Sequence, residues 1–264
     1  MPTFYTILKA EFYKNLRSKE LLIFLVVPFI SVFIGFYSWQ DTSLAHYESF
    51  ATSYLDKNPW VFFYNRIFIV NGFLLSFLLI GLVYSNIDNE HTSKTWKYIF
   101  SIPRMSKYFL WVKQLTFVTW TFVMLQIQFI VIVLATLILP IVNTDIPFNK
   151  FSPLYDILWL IEFKVFIAAL PMIAFQTWFN CLINKRILIN LLILILSWFS
   201  FTKFLPHSSL FAVCLGTFSY NIQKITFTNS FNVMTSTENF ALICVVIISL
   251  LGFLITPKLI KKLS

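Results

Sequence analysis

Long apolar runs alternate along the chain with short polar interruptions, and the runs set the architecture. Uncharged or nearly uncharged stretches at 21–38, 67–87, 115–139, 165–184, 187–205 and 239–257 each approach the about 20 helical residues needed to cross ~30 Å of hydrocarbon. They predict an all-α integral membrane protein with six transmembrane helices in a single domain over 1–264, since no internal repeat or low-complexity tract divides the chain. An even number of crossings leaves both termini on one side. The fifth run carries Lys203, whose long stem lets its ammonium reach the surface. Pro28 and Pro171 lie inside the first and fourth runs and are expected to kink them. Ahead of the first run, 3–19 is too polar to cross. Phe4, Leu8, Phe12 and Leu16 recur at helical spacing against Lys9, Lys14 and Arg17, which describes a helix lying in the membrane interface. No small-x-small cleavage site follows the first run, so it reads as a retained span.

The most informative polar interruption is 87–113, between the second and third runs. It concentrates Asp88, Glu90, Lys94, Lys97, Arg104, Lys107 and Lys113. Within it Trp96, Ile99 and Phe100 fall on one face of a short helix, while Lys94 and Lys97 lie elsewhere on its circumference. Thr92 or Ser93 can cap the start. Pro103 disfavours helical geometry at Ile102 and ends the helix after about two to three turns. Such a helix can rest in the headgroups, or its apolar stripe can dock into a groove on a soluble partner.

The order of these residues supports the second use. Glu90 just after a span, then Thr95-Trp96-Lys97, the apolar Ile99-Phe100 pair, Pro103 and a Lys at the foot of the next span resemble the coupling-helix segment of the type-2 ABC exporter permeases. Within that family the segment looks most like the permease subunits of lantibiotic-immunity transporters. The Gly-Thr pair common in the wider family is replaced here by Thr92-Ser93. The resemblance implies a separate ABC ATPase gripping Glu90, Lys94, Thr95, Trp96, Lys97, Ile99, Phe100 and Pro103. It also implies a second permease subunit, identical or different, and export of an amphipathic substrate such as a lantibiotic or other bacteriocin peptide, giving self-immunity. ATP and Mg would sit on the ATPase, with no cofactor in this chain. On this reading Glu90 marks the contact with the ATPase, and its removal should leave folding largely intact while weakening coupling. Glu90 could equally cap the helix or pair with Lys94 four residues on.

Charge orients the chain. The termini, 87–113 and the turn at Lys185-Arg186 hold fourteen of the 20 Lys and Arg residues, and the opposite side holds seven of the 11 acids. The positive-inside rule therefore places both termini and 87–113 in the cytoplasm of a multi-pass cell-membrane protein. The net charge of +9 answers to topology and anionic lipid rather than to nucleic acid, for which no extramembrane module exists. The outer segments are 39–66, 140–164 and 206–238. The last contains an apolar run at 210–218, too short to cross, which fits either a re-entrant or an interfacial helix.

Candidate chemistry is sparse. With five glycines the chain has no phosphate-cradling G-x-x-x-x-G-K-[ST] loop. Cys181, Cys214 and Cys244 lack C-x-x-C spacing and read as small buried hydrophobes, and the three histidines are isolated, so no metal site is predicted. The expected spans contain no Asp and no His, and no G-x-S occurs, which argues against an intramembrane hydrolase. Polar residues inside the spans are amides and hydroxyls. Gln126, Gln128, Gln176 and Asn180 are candidates for a substrate pathway, with helix-to-helix hydrogen bonding as their plainer role. Arg66, Glu162 and Lys164 are candidates for interfacial anchors or an outer polar lip. Alternatives to peptide export are a permease for another drug, toxin or lipid-like substrate, and a non-transporting membrane scaffold or sensor.

Overall fold

The computed structural model describes residues 4–40, 58–93, 103–182 and 247. Among them there are helices and no strands. They form α1 (Phe4–Leu16), α2 (Lys19–Gln40), α3 (Pro59–Thr92), α4 (Pro103–Val142), a 3-10 turn (Phe148–Lys150) and α5 (Tyr155–Leu182). Three stretches, Lys19–Tyr37, Tyr108–Val142 and Tyr155–Trp178, are long and apolar enough to cross a membrane. The runs at 187–205 and 239–257, and the segment 206–238, lie outside the described residues.

The helices extend past the uncharged runs. The uncharged fourth run starts at Val165, just past Glu162 and Lys164, yet α5 begins at Tyr155 and Glu162 is 2% exposed. A carboxyl group taken inside the bundle does not end a helix. Likewise α3 continues to Thr92, and α4 takes in the basic turn after Pro103. Proline at the first position of α4 forfeits only an N–H that has no intrahelical acceptor. Pro28 lies within α2.

Packing follows a four-cornered plan. α2 packs on α3 and α4, and α5 packs on the same two from the other side. α3 and α4 thus face each other across the bundle. Phe24, Phe63, Phe68, Leu75, Leu79, Phe117, Met124, Leu158 and Ile173 fill the interior. α2 approaches α3 closely at Gly35, where a Cβ would lie 2.5 Å from Ile67 Cγ1; a residue without a side chain lets the two backbones meet.

The connection from α4 to α5 is tied to the top of α3. Asn58 Oδ1 accepts from Trp60 N at 3.0 Å, capping α3, and Asn58 Nδ2 donates to Ser152 O at 3.3 Å. Trp60 Nε1 donates to Phe151 O at 3.1 Å, its ring packs on Phe148 with centroids 4.6 Å apart, and the Tyr64 hydroxyl donates to Pro153 O. The bonds to Phe151, Ser152 and Pro153 each satisfy a carbonyl of irregular backbone that helix geometry leaves open.

α1 lies against α4, by only part of the stripe its sequence suggests. Phe12 packs on Trp120 and Phe4 on Tyr108, whereas Leu16 is 55% exposed. The inward positions are Ile7 and Asn15, both buried, with Glu11 between them at helical spacing. A polar complement on α4 rotates the helix so that Glu11 and Asn15 turn inward.

Candidate functional site

That complement is Lys113, 0% exposed although it opens an apolar span. Its ammonium donates to Glu11 Oε2 at 2.8 Å, to Asn86 Oδ1 at 2.6 Å and to Glu90 Oε1 at 2.5 Å. Lys14 donates to the same Glu90 oxygen. Asn86 Nδ2 donates to Asn15 Oδ1, and Asn15 Nδ2 returns to Glu11 O at 3.0 Å. The result is a neutral set of two ammonium groups and two carboxylates, held by two carboxamides. It joins α1, the last turns of α3 and the first turns of α4. An isolated buried charge is strongly penalised, and Lys113 avoids this because its three N–H donors each find an oxygen. Lys14 remains 41% exposed at the rim. Partial burial and the neighbouring Lys113 hold its ammonium below the usual lysine range, against the opposing pull of Glu11 and Glu90.

The network flanks the predicted docking helix. Thr92 Oγ1 donates back to Asp88 O at 2.8 Å and Ser93 Oγ to Glu90 O at 3.2 Å. These two hydroxyls finish α3 by bonding backward, where the sequence suggested a cap for the following helix. After nine intervening residues, 94–102, Pro103 starts α4. Lys94, Thr95, Trp96, Lys97, Ile99 and Phe100 lie outside the described residues. Glu90 is 5% exposed, seated between Lys14 and Lys113 rather than presented at the surface. It is the acceptor shared by two ammonium groups, so its removal is expected to loosen the fold as well as any coupling.

The other candidates separate. Gln128, Gln176 and Asn180 are each 0% exposed, and Gln126 is half-buried. Asn180 Nδ2 donates to Gln176 O at 2.9 Å. Glu162, expected at an outer lip, is inside the bundle. The side chains of Arg66 and Lys164 lie outside the described residues. Glu11, Asn15 and Asn86 were not singled out from sequence. A signal was present: Glu11 and Asn15, like Asn86 and Glu90, stand four apart and so share a helix face. Among the described residues no group of His, Cys, Asp and Glu could hold a metal ion.

Comparison with known proteins finds a family match. Residues 7–197 match the model of the family described as ABC-2 family transporter protein, a span that contains every residue of the charged network. No curated protein and no solved structure matches the chain.

Proposed function

Since the chain belongs to the ABC-2 family of transporter proteins and is the membrane component of an ABC transporter, we propose that it serves as the permease of an exporter with six spans. In this reading its termini and 87–113 are cytoplasmic, and it works with a separate ATPase and a second permease subunit. Glu90 lies at the base of the coupling segment, and Lys94, Thr95, Trp96, Lys97, Ile99, Phe100 and Pro103 form the handle that the ATPase grips. The substrate is an amphipathic molecule, a lantibiotic or related bacteriocin peptide, expelled from the cell membrane as self-protection. Gln126, Gln128, Gln176 and Asn180 contribute amides to its path.

The observation that carries this reading is the charged network at the feet of α3 and α4. A handle transmits force only if its two ends are fixed to the spans it must move. Here both flanks of 94–102 are tied through Glu90, Asn86 and Lys113 to one another and to α1. A push on the segment would thus be shared by three helices.

The test uses residues outside the network, because Glu90 has a structural role. Trp96→Ala with Phe100→Ala should leave the protein in the membrane in normal amount, while ATPase co-purification and protection of cells against the peptide both fall. Unchanged co-purification and unchanged protection would sink the handle. A panel of peptides and drugs against a deletion strain then reads the substrate class.

A further inference from the structure

Three buried polar side chains play no part in the network at the cytoplasmic end, and the helix pairings bring them together. α4 and α5 run antiparallel, with Thr136 Oγ1 3.0 Å from the Tyr155 hydroxyl, Phe129 against Trp159 and Phe122 against Phe166. Stepping along this pairing sets Gln128 level with Glu162. From the other end, Lys113 of α4 meets Asn86 and Glu90 of α3, and counting back along both helices sets Asn71 level with Gln128. The contacts of Trp60 and Tyr64 with Phe151 and Pro153 bring Asn71 of α3 to the level of Glu162 by an independent route. The three therefore share one level of the bundle to within about one helical turn, ~5.4 Å.

All three are buried: Asn71 0%, Gln128 0% and Glu162 2% exposed. Among the described residues, both polar atoms of each lack a hydrogen-bond partner. Inside a membrane bundle an ionisable residue without a structural partner is a functional candidate, and a bound polar group is one physical explanation for buried polar atoms left unsatisfied. The residues one turn away on the same helices are apolar and fully buried: Leu75 on α3, Met124 and Ile132 on α4, Leu158 and Val165 on α5. The arrangement is one acidic and amide layer between greasy walls.

We propose that Asn71, Gln128 and Glu162 form a binding layer inside the bundle for a primary ammonium group on an alkyl or peptide chain. The carboxylate and the two carboxamide oxygens accept its N–H donors, and the walls above and below take its apolar body. This deepens the exporter reading and rests on it, since it selects cationic amphipaths over neutral ones as substrates. The ion pair that Glu162 forms with the bound ammonium supplies the selectivity, and the carboxamides supply orientation.

The test is photolabelling of the full-length protein in lipid nanodiscs with a diazirine-bearing dodecylammonium and with its uncharged alcohol counterpart, mapped by mass spectrometry. The ammonium probe should label the peptides carrying Leu75, Met124 and Leu158 about tenfold more than the alcohol does, as one charge-assisted contact predicts. Glu162→Gln should abolish that difference, and Glu162→Asp should restore part of it. Asn71→Leu should weaken it and gives a second reading if Glu162→Gln does not fold. Labelling of the exposed Ile130 and Leu137 should be the same for all variants. Equal labelling of the layer by the two probes in the wild type, or selectivity that survives Glu162→Gln, overturns the proposal. So does displacement of the ammonium probe by sodium ion alone, which would assign the layer to an inorganic cation. Protection of cells against the peptide, measured in parallel, separates the two readings. Lost selectivity with intact protection removes the layer only, whereas a wild type that never protects removes peptide export.

Discussion

Lys113 is the residue on which the cytoplasmic end of the bundle depends. Removing one member of a buried ion pair leaves the other charge without compensation, at a cost of about 3–5 kcal/mol. Lys113→Met should therefore lower the thermal unfolding midpoint of the purified protein by a large margin, because Glu90 and Glu11 are left facing an apolar side chain. Glu90→Ala should be comparably destabilising. The double variant Lys113→Met, Glu90→Gln should cost clearly less than the two singles combined, the signature of residues that act on each other. Lys14→Met should matter less, since its side chain is 41% exposed and water already screens it. Equal losses for Lys14→Met and Lys113→Met in the melting assay would contradict this ranking.

Between elements, the contacts that fix spacing are few and testable. At the crossing of α2 and α3, Gly35→Ala places a methyl 2.5 Å from Ile67 Cγ1, and overpacking of this kind costs roughly 1–3 kcal/mol. Folded yield and melting temperature should fall, and a second change, Ile67→Ala, should recover part of the loss by making room. The tie between the α4–α5 connection and α3 should be more forgiving. Tyr64→Phe deletes the bond to Pro153 O but keeps the ring buried, so a loss of about 1 kcal/mol is expected. Trp60→Ala should cost several times more, because it removes the bond to Phe151 O and the packing on Phe148 together. Limited proteolysis within 143–154 reads both variants directly.

For the whole molecule, the charged network, the bundle and the family membership meet in a single expectation about assembly. Gentle purification of the tagged chain should bring down a soluble nucleotide-binding subunit and a second permease. Trp96→Ala with Phe100→Ala should lose the first and keep the second. A chain purified alone under every mild detergent would favour a scaffold or sensor instead. Because α1 is joined to the bundle through Glu11 and Asn15, deleting 1–17 should destabilise the permease itself, readable as loss of membrane-inserted protein. A merely resting interfacial helix could be removed with little effect.

Apolar run length alone determined that the chain is helical and built for a membrane, because twenty residues without charge have few other stable destinations. The order of residues around Trp96 pointed to the transporter family, since a docking helix carries its pattern locally. The sequence could not say which way α1 faces or that Glu90, Lys113 and Glu162 lie inside. Charge along a chain reports the cost of burial but not the presence of a partner, and the partners stand 23, 76 and 102 positions apart. Only the packing of α1, α3 and α4 brings opposite charges within bonding distance, and only the pairing of α3, α4 and α5 sets Asn71, Gln128 and Glu162 on one level.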